Sequence, residues 1–378
     1  MTADFQTGPI RVLYATTREV TYARNETLVG ALRRHAHVEV IAPAGSGRGF
    51  DDRVAYVWGI ARVVFRLLAR SLRWRRTDDV LVVGFLAQPL ALVVAPFWQG
   101  RIVADAMVSV FDTICHDKRI AAPQSVIGRT AWWLDAYLVR HADALLFDTQ
   151  QHREYFARFA SGPLPPSYVV PVGARKLKPA HGRKDTSERL QVLFAGSYIP
   201  LQGAGVIVRA ASLLQDEPID ITMIGAGQEY KAVRSVALDQ GLRNVRFIGW
   251  LSLDALDEFY SRADVILGIF GPSPKTQRVI PNKVFEAFSI GQPVITGDTP
   301  AIRELFVPGR EVMCCPVNDP AGLAEAIRWA LAHRQRLPDI GQAGQQAFQR
   351  HASECALAES LRPLFDAAPR RAPAQSEL

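Results

Sequence analysis

Short apolar runs separated by helical patterns recur along this chain, and that alternation constrains the fold more than any other feature. Arg11–Ala15 (R-V-L-Y-A) is one such run; a helical pattern follows from about Asn25 to Arg34, then a second run at Val38–Ala42. Val80–Gly84, Arg101–Ala104 and Ala144–Asp148 continue the series. Over Pro163–Glu188 the composition shifts to Pro, Gly, Lys and Arg, which marks a boundary between domains. A second series then begins with Gln191–Ala195, Ile219–Ile224, Val245–Ile248, Val265–Ile269 and Pro293–Thr296. The pattern predicts an α/β chain with two Rossmann-like, doubly wound parallel-sheet domains. Residues 1–170 form the first, 171–188 a linker and 189–350 the second, with a helix over 351–365 packing back on the first domain and a frayed tail over 366–378. Ligands of such sheets sit at the carboxyl ends of the strands, so the expected site is the cleft between the domains.

The 378 residues are 48% hydrophobic and 21% charged, a balance that supports packed cores rather than disorder. A formal net charge of +7 suits a phosphorylated ligand or an anionic membrane. Nucleic acid is disfavoured, because the basic residues lack interleaved aromatic stacking platforms. Cys115, Cys314, Cys315 and Cys355 form no pair of C-x-x-C motifs, so they read as residues of a reduced, cytosolic protein rather than zinc ligands. No paired acidic motif such as D-x-D stands ready for a metal; Asp51-Asp52 and Asp78-Asp79 read as turn caps. Val80–Trp98 is apolar enough to suggest a membrane span, but Gln88-Pro89 and Pro96 interrupt it, so a strand followed by a short buried helix fits better. The first residues show no signal peptide.

The chemistry concentrates in Arg278–Glu286, R-V-I-P-N-K-V-F-E, which runs directly into A-F-S-I-G-Q-P-V-I-T-G-D. Arg278, Asn282 and Lys283 fall just before and inside the first turn of a helix, whose free N–H groups and dipole favour an anion such as a diphosphate. Glu286 lies one turn after Lys283, and its carboxylate can accept two hydrogen bonds from a vicinal diol such as a ribose. In isolation the same residues describe an ordinary helix start with a solvated ion pair. The surroundings favour the ligand site. Glycines follow three strands: Gly196 and Gly203 in A-G-S-Y-I-P-L-Q-G, Gly225 and Gly227 in I-G-A-G, and Gly249 in F-I-G-W. Each lets backbone approach a ligand closely.

These segments resemble the retaining glycosyltransferases of the family 4 type, which have the two-domain GT-B fold. M-I-G-A-G-Q, R-F-I-G-W-L and the long segment from Arg278 carry most of the likeness, and T-T-R-E-V-T-Y-A-R-N-E and V-A-D-A-M-V-S-V-F-D-T add to it in the first half. The resemblance implies transfer of a sugar from a nucleotide diphosphate to an acceptor hydroxyl with retained configuration and without an obligatory metal. It implies that Glu286 binds the ribose and that Gly196, Ser197, Gly225, Gly227, Gly249, Asn282 and Lys283 surround the nucleotide sugar. Two departures stand out. Arg278 occupies the place of a frequent earlier glutamate, and Ser197 and Gln202 occupy places where the family often has a diphosphate-gripping Arg and Lys. The expectation is that Arg278 and Lys283 supply the missing charge. An epimerase of the same architecture and a non-catalytic binding relative remain as alternatives.

On the acceptor side, Val103–Lys118 follows a strand and offers Asp105, Asp112, His116 and Asp117, while Met107 stands near a place where relatives carry histidine. Asp112 and Asp105 are the candidates to orient the acceptor hydroxyl or take its proton. Arg24 is a candidate to reach a phosphate across the cleft. Finally, Trp58–Arg76 has no acidic residue and sets Arg62, Arg66, Arg70 and Arg73 on one helical stripe, with Phe65, Leu68 and Leu72 on other faces. Such a stripe, with Trp58 and Trp74, suits an anionic membrane and a lipid-linked acceptor at the inner face of a membrane.

Overall fold

The computed structural model describes residues 10–43, 53–71, 80–177 and 188–366. The first domain alternates β1 (Arg11–Ala15), α1 (Ala23–Arg33), β2 (His37–Ile41), α2 (Arg53–Ser71), β3 (Val80–Val83), α3 (Ala87–Val94), β4 (Arg101–Asp105), α4 (Val126–His141), β5 (Ala144–Phe147), α5 (Gln150–Phe156) and β6 (Ser167–Val169). The second runs through β7 (Leu190–Gly196), α6 (Ala204–Leu213), β8 (Ile219–Gly225), α7 (Tyr230–Asp239), β9 (Val245–Ile248), α8 (Leu253–Arg262), β10 (Val265–Leu267), α9 (Asn282–Ser289), β11 (Val294–Gly297), α10 (Pro300–Leu305), β12 (Met313–Cys315), α11 (Pro320–Ala332) and α12 (Leu337–His351). A last helix, α13 (Glu354–Asp366), returns to the first domain and packs on α1.

Each domain holds a parallel sheet, in the orders β2-β1-β3-β4-β5-β6 and β12-β11-β10-β7-β8-β9. The strand order reverses between β1 and β3 and between β7 and β10, and those two switch points are where a doubly wound sheet opens a crevice at its carboxyl edge. Strands such as β3, V-L-V-V, are buried on both faces because helices cover both sides. On one face of the first sheet, Leu13, Leu81, Ile102 and Leu145 pack with Leu67, Leu90 and Leu138 of α2, α3 and α4. On the other, Val12, Tyr14, Val80 and Val103 pack with Leu28 and Leu32 of α1 and with Leu357, Leu361 and Leu364 of α13. Each such leucine contributes about 2 kcal/mol on full burial. Helix starts are fixed locally: the hydroxyls of Ser125 and Thr149 accept the N–H groups of Gly128 and His152 at the heads of α4 and α5.

Two strands lie outside the sequence reading. β6 falls in the stretch read as boundary, and β12, M-C-C, follows α10 without a long apolar run. Val80–Trp98 folds as β3 and α3, and among the described residues no helix is long and apolar enough to cross a membrane.

Candidate active site

The loops after β7 and β8 lie backbone against backbone. Gly225 has φ +123° and Gly227 φ +153°; a Cβ at either would overlap the carbonyl oxygen of Gly196 or of Ser197, so only glycine permits the contact. The missing side chain of Gly196 leaves room for the Gln202 amide and for Lys283, and Gln202 Nε2 donates to Ser197 Oγ at 3.3 Å. Gly249 differs from this group. It has no positive φ, is exposed and faces open space, so nothing in the backbone requires a glycine there.

α9 begins beneath these loops. Lys283 is buried; its Nζ lies 3.9 Å from the centre of the Phe194 ring and 3.5 Å from Gln202 Oε1. Burial pushes its amine down to about 7, with Glu286 opposing the shift. Glu286 faces a different set of neighbours. Arg175 Nε donates to its Oε1 at 3.1 Å, Tyr260 shares a side-chain hydrogen bond with it, and Arg175 Nη2 donates to Asp257 Oδ1 at 2.5 Å. Burial raises the Glu286 carboxyl, and Arg175 and Tyr260 only partly offset it. Asn282 in the first turn of α9 bonds to Tyr22 of the first domain. Arg175 and Tyr22 were missed in the sequence, the first because it sits in a boundary segment and the second because an aromatic in a loop carries no chemical signature.

Arg278 does not stand with Lys283 as expected. Its Nη2 donates to Asp112 Oδ2 at 2.7 Å and its guanidinium lies 4.0 Å from the centre of the Tyr155 ring, so its charge is committed to the first domain. The cause is the three residues separating it from α9, Val279, Ile280 and Pro281, which carry it to the seam. Neighbouring contacts extend that seam: Thr149 Oγ1 donates to the Arg278 carbonyl at 2.5 Å, and Lys275 Nζ lies 3.6 Å from Asp117 Oδ2. Glu304 at α10 accepts the N–H groups of Gln150 and Gln151 at 2.7 and 2.8 Å, capping α5 from across the cleft.

Asp112 and His116 belong to one π-helical turn, Asp112–Asp117, with His116 Nδ1 at 3.0 Å from Asp112 Oδ1. Burial would raise the Asp112 carboxyl, but Arg278, Lys275 and His116 together bring it below the ordinary carboxylate value. The turn is anchored by Asp135 on α4, a residue absent from the sequence reading, which accepts from Ser109 Oγ, Gln88 Nε2 and the N–H groups of Val110 and Phe111.

Arg24 and Asp105 are corrected outright. Both are fully buried and form a forked pair, with Arg24 Nη2 donating to Asp105 Oδ1 at 2.7 Å. Arg24 Nη1 donates to the carbonyls of Val170 and Pro171. Neither side chain reaches the cleft: Arg24 lies inside α1, where the sheet and the turn after β6 enclose it. Arg18, unread in the sequence, instead lies at the β1/β3 switch point, stacked 4.6 Å from the centre of the Tyr22 ring and 5.4 Å from that of Phe85.

On α2, Arg62 and Arg66 are exposed, whereas Arg70 pairs with Glu39 at 2.5 Å; Arg73 and Trp74, like Asp51-Asp52 and Asp78-Asp79, lie outside the described residues. Phe65 is 73% exposed and shares the face of the arginines, since three residues of helix return the chain to within about 60°. Among the described residues no group of three or more His, Cys, Asp or Glu is placed to hold a metal.

Residues 189–333 match the family described as glycosyl transferases group 1. A colanic acid biosynthesis glycosyl transferase of Escherichia coli (strain K12), WcaI, described as putative, is 30% identical over 37% of this chain and 35% of its own length, so the chain spans about a third of that relative. A glycogen synthase of Mycobacterium tuberculosis is 22% identical over 78% of this chain and 72% of its own. Among solved structures, sucrose-phosphate synthase from Thermosynechococcus elongatus superposes with TM-score 0.73 at 15% identity, covering 95% of this chain and 98% of that one. Anabaena HepE, in complex with UDP-glucose, superposes with TM-score 0.70 at 14% identity, covering 94% and 99%. The fold is GT-B, two parallel-sheet domains facing a cleft. The family match falls wholly within the second domain, and the likeness to solved structures is one of fold.

Proposed function

We propose that this protein is a retaining, metal-independent hexosyltransferase that moves a sugar from a nucleotide diphosphate to an acceptor hydroxyl. Lys283 carries the reading. A buried amine near neutrality, set in the first turn of α9 under two glycine loops, gains a full charge when a diphosphate arrives, and the anion removes the cost of burying it. The bond from the anomeric carbon to the diphosphate oxygen breaks with its electron pair going to the diphosphate, and the acceptor oxygen forms the new bond. Retention places the acceptor on the face that the diphosphate leaves, so a departing phosphate oxygen is the nearest base for the acceptor proton. That route needs no free carboxylate, in keeping with Asp112 being paired to Arg278. The likeness to WcaI and to the UDP-glucose complex of HepE supports a uridine diphosphate sugar as donor and surface glycan or glycolipid assembly as the setting. The exposed Trp58, Arg62, Phe65 and Arg66 of α2 support peripheral contact with the inner face of a membrane and a lipid-linked acceptor.

Thermal unfolding with UDP, GDP, dTDP and ADP, on wild type and Glu286→Gln, tests the donor site. One diphosphate at a hundred times its Kd is expected to stabilise wild type by about 2.7 kcal/mol, with the gain reduced in the variant. No stabilisation by any of the four refutes the reading. One observation favours a second reading, a nucleotide-binding relative without turnover: Asp112 and Asp117 are both matched to second-domain cations. Tight nucleotide binding with no sugar release in the presence of acceptors would select it.

A further inference from the structure

The first domain carries an apolar surface that the proposed chemistry does not use. After the π-helical turn the chain passes through Lys118, Arg119 and Ile120 into α4, and no acidic residue occurs between Asp117 and Asp135. Ile120 is 64% exposed, Val126 82%, Ile127 55% and Trp133 48%. Lys118, Arg119 and Arg129 are exposed among them. Single exposed apolar side chains are ordinary, but a cluster on one loop and the first turns of one helix is not. The cluster is rigidly backed. Trp132 packs edge-on against Phe111 at 5.1 Å and Phe159 at 4.6 Å, and the Ser125 hydroxyl caps the helix. It also adjoins the acceptor corner, since Phe111 holds the His116 ring edge-on at 5.3 Å on its other side. A cavity of about 490 Å³ lined by Phe111, Pro123, Gln124, Arg129 and Trp132 opens there. α3 packs between α2 and α4, and both of those helices start at the carboxyl edge of the sheet, at the mouth of the cleft.

We propose that this surface docks on an anionic lipid bilayer: Ile120, Val126, Ile127 and Trp133 enter the interface while Lys118 and Arg129 meet headgroup phosphates. Charge complementarity selects this occupant. Aliphatic side chains beside an indole, flanked by the exposed Lys118 and Arg129, have the composition of an interfacial anchor, whereas Arg119 acts on the Glu229 carboxylate of the second domain. The docking stands on this surface alone. Its consequence, that the acceptor hydroxyl reaches the Asp112–His116 corner from the bilayer, rests on the transferase reading above.

The test is co-sedimentation of the full chain with phosphatidylcholine vesicles, with and without phosphatidylglycerol. Two cations near an anionic surface are expected to give about a thirtyfold preference for the mixed vesicles. The variant V126S/I127S/W133S should lose at least about tenfold in partitioning while still unfolding cooperatively in urea, its midpoint lowered only by the Trp133–Tyr137 ring contact it removes. K118E/R129E, which keeps the apolar cluster and reverses the charge beside it, should abolish the preference for phosphatidylglycerol. Three results overturn the proposal: no vesicle binding by wild type, equal binding by both variants, or a concentration-dependent dimer in gel filtration that V126S/I127S/W133S abolishes. The last would assign the surface to a second copy of the chain. Nucleotide stabilisation measured on the same samples reports separately on the transferase reading, whose failure would leave the vesicle result standing.

Discussion

Replacing Lys283 with methionine keeps the volume of the side chain and removes the buried amine. In the folded protein that amine titrates at about 7, against about 10.4 in an unfolded chain. A folded value below the unfolded one means that the charged lysine opposes folding. The cost is fully present below about pH 7, shrinks as the pH rises, and is gone above about pH 10.4. More than three units at 1.36 kcal/mol each amount to about 4 kcal/mol. Lys283→Met is therefore expected to be about 4 kcal/mol more stable than wild type at neutral pH, with the difference closing towards pH 10. Urea unfolding of both proteins in steps from pH 7 to pH 10 measures it. The same variant should bind a nucleoside diphosphate weakly and without pH dependence. Wild-type affinity should fall about tenfold per unit above pH 7, because binding must then take up a proton. A variant no more stable than wild type at neutral pH, or a gap constant across the range, refutes the burial argument. A flat wild-type affinity profile refutes the contact between amine and phosphate.

Two other substitutions probe the frame around this amine. Arg278→Met removes the hydrogen-bonded cation from buried Asp112, leaving it His116 and Lys275, and should cost about 2 kcal/mol, while Asp112→Asn in the same chain should restore most of it, a coupling that a double-mutant cycle in urea reports directly. Gly227→Ala must push its Cβ into the Ser197 carbonyl and should cost at least about 3 kcal/mol by urea midpoint, whereas Gly249→Ala, facing open space, should stay within about 0.5 kcal/mol.

Strands buried on both faces leave few polar positions, so β1, β3 and β7, with Arg11 and Gln191 only near their starts, stand out in the sequence as largely apolar runs. β6, S-Y-V, and β12, M-C-C, are three residues long and gain their place from pairing with β5 and β11, which no local pattern records. The start of α9 was legible because its chemistry is local: Pro281, Asn282, Lys283 and Glu286 fall within two turns. What Arg278 does was not, because its partner Asp112 lies 166 positions away, and either residue alone reads as an ordinary surface charge. Arg24 and Asp105 failed for the same reason: a fully satisfied buried pair and a ligand-binding pair have the same residue types. Of the α2 stripe, Arg62 and Arg66 are exposed and Arg70 pairs with Glu39, while Phe65, expected on another face, is exposed beside Arg62.

The return of α13 to the first domain separates the order of synthesis from the order of completion. Leu357, Leu361 and Leu364 close a core layer whose other members, Val12, Leu28 and Val170, leave the ribosome far earlier. The whole second domain is translated in between, which at about 5–20 residues per second takes on the order of ten to forty seconds. Through that interval α1 and the edge at β6 present uncovered apolar side chains beside a nascent second sheet, the condition in which a chaperone or a membrane surface competes with native packing. The first domain to emerge is therefore the last to be finished.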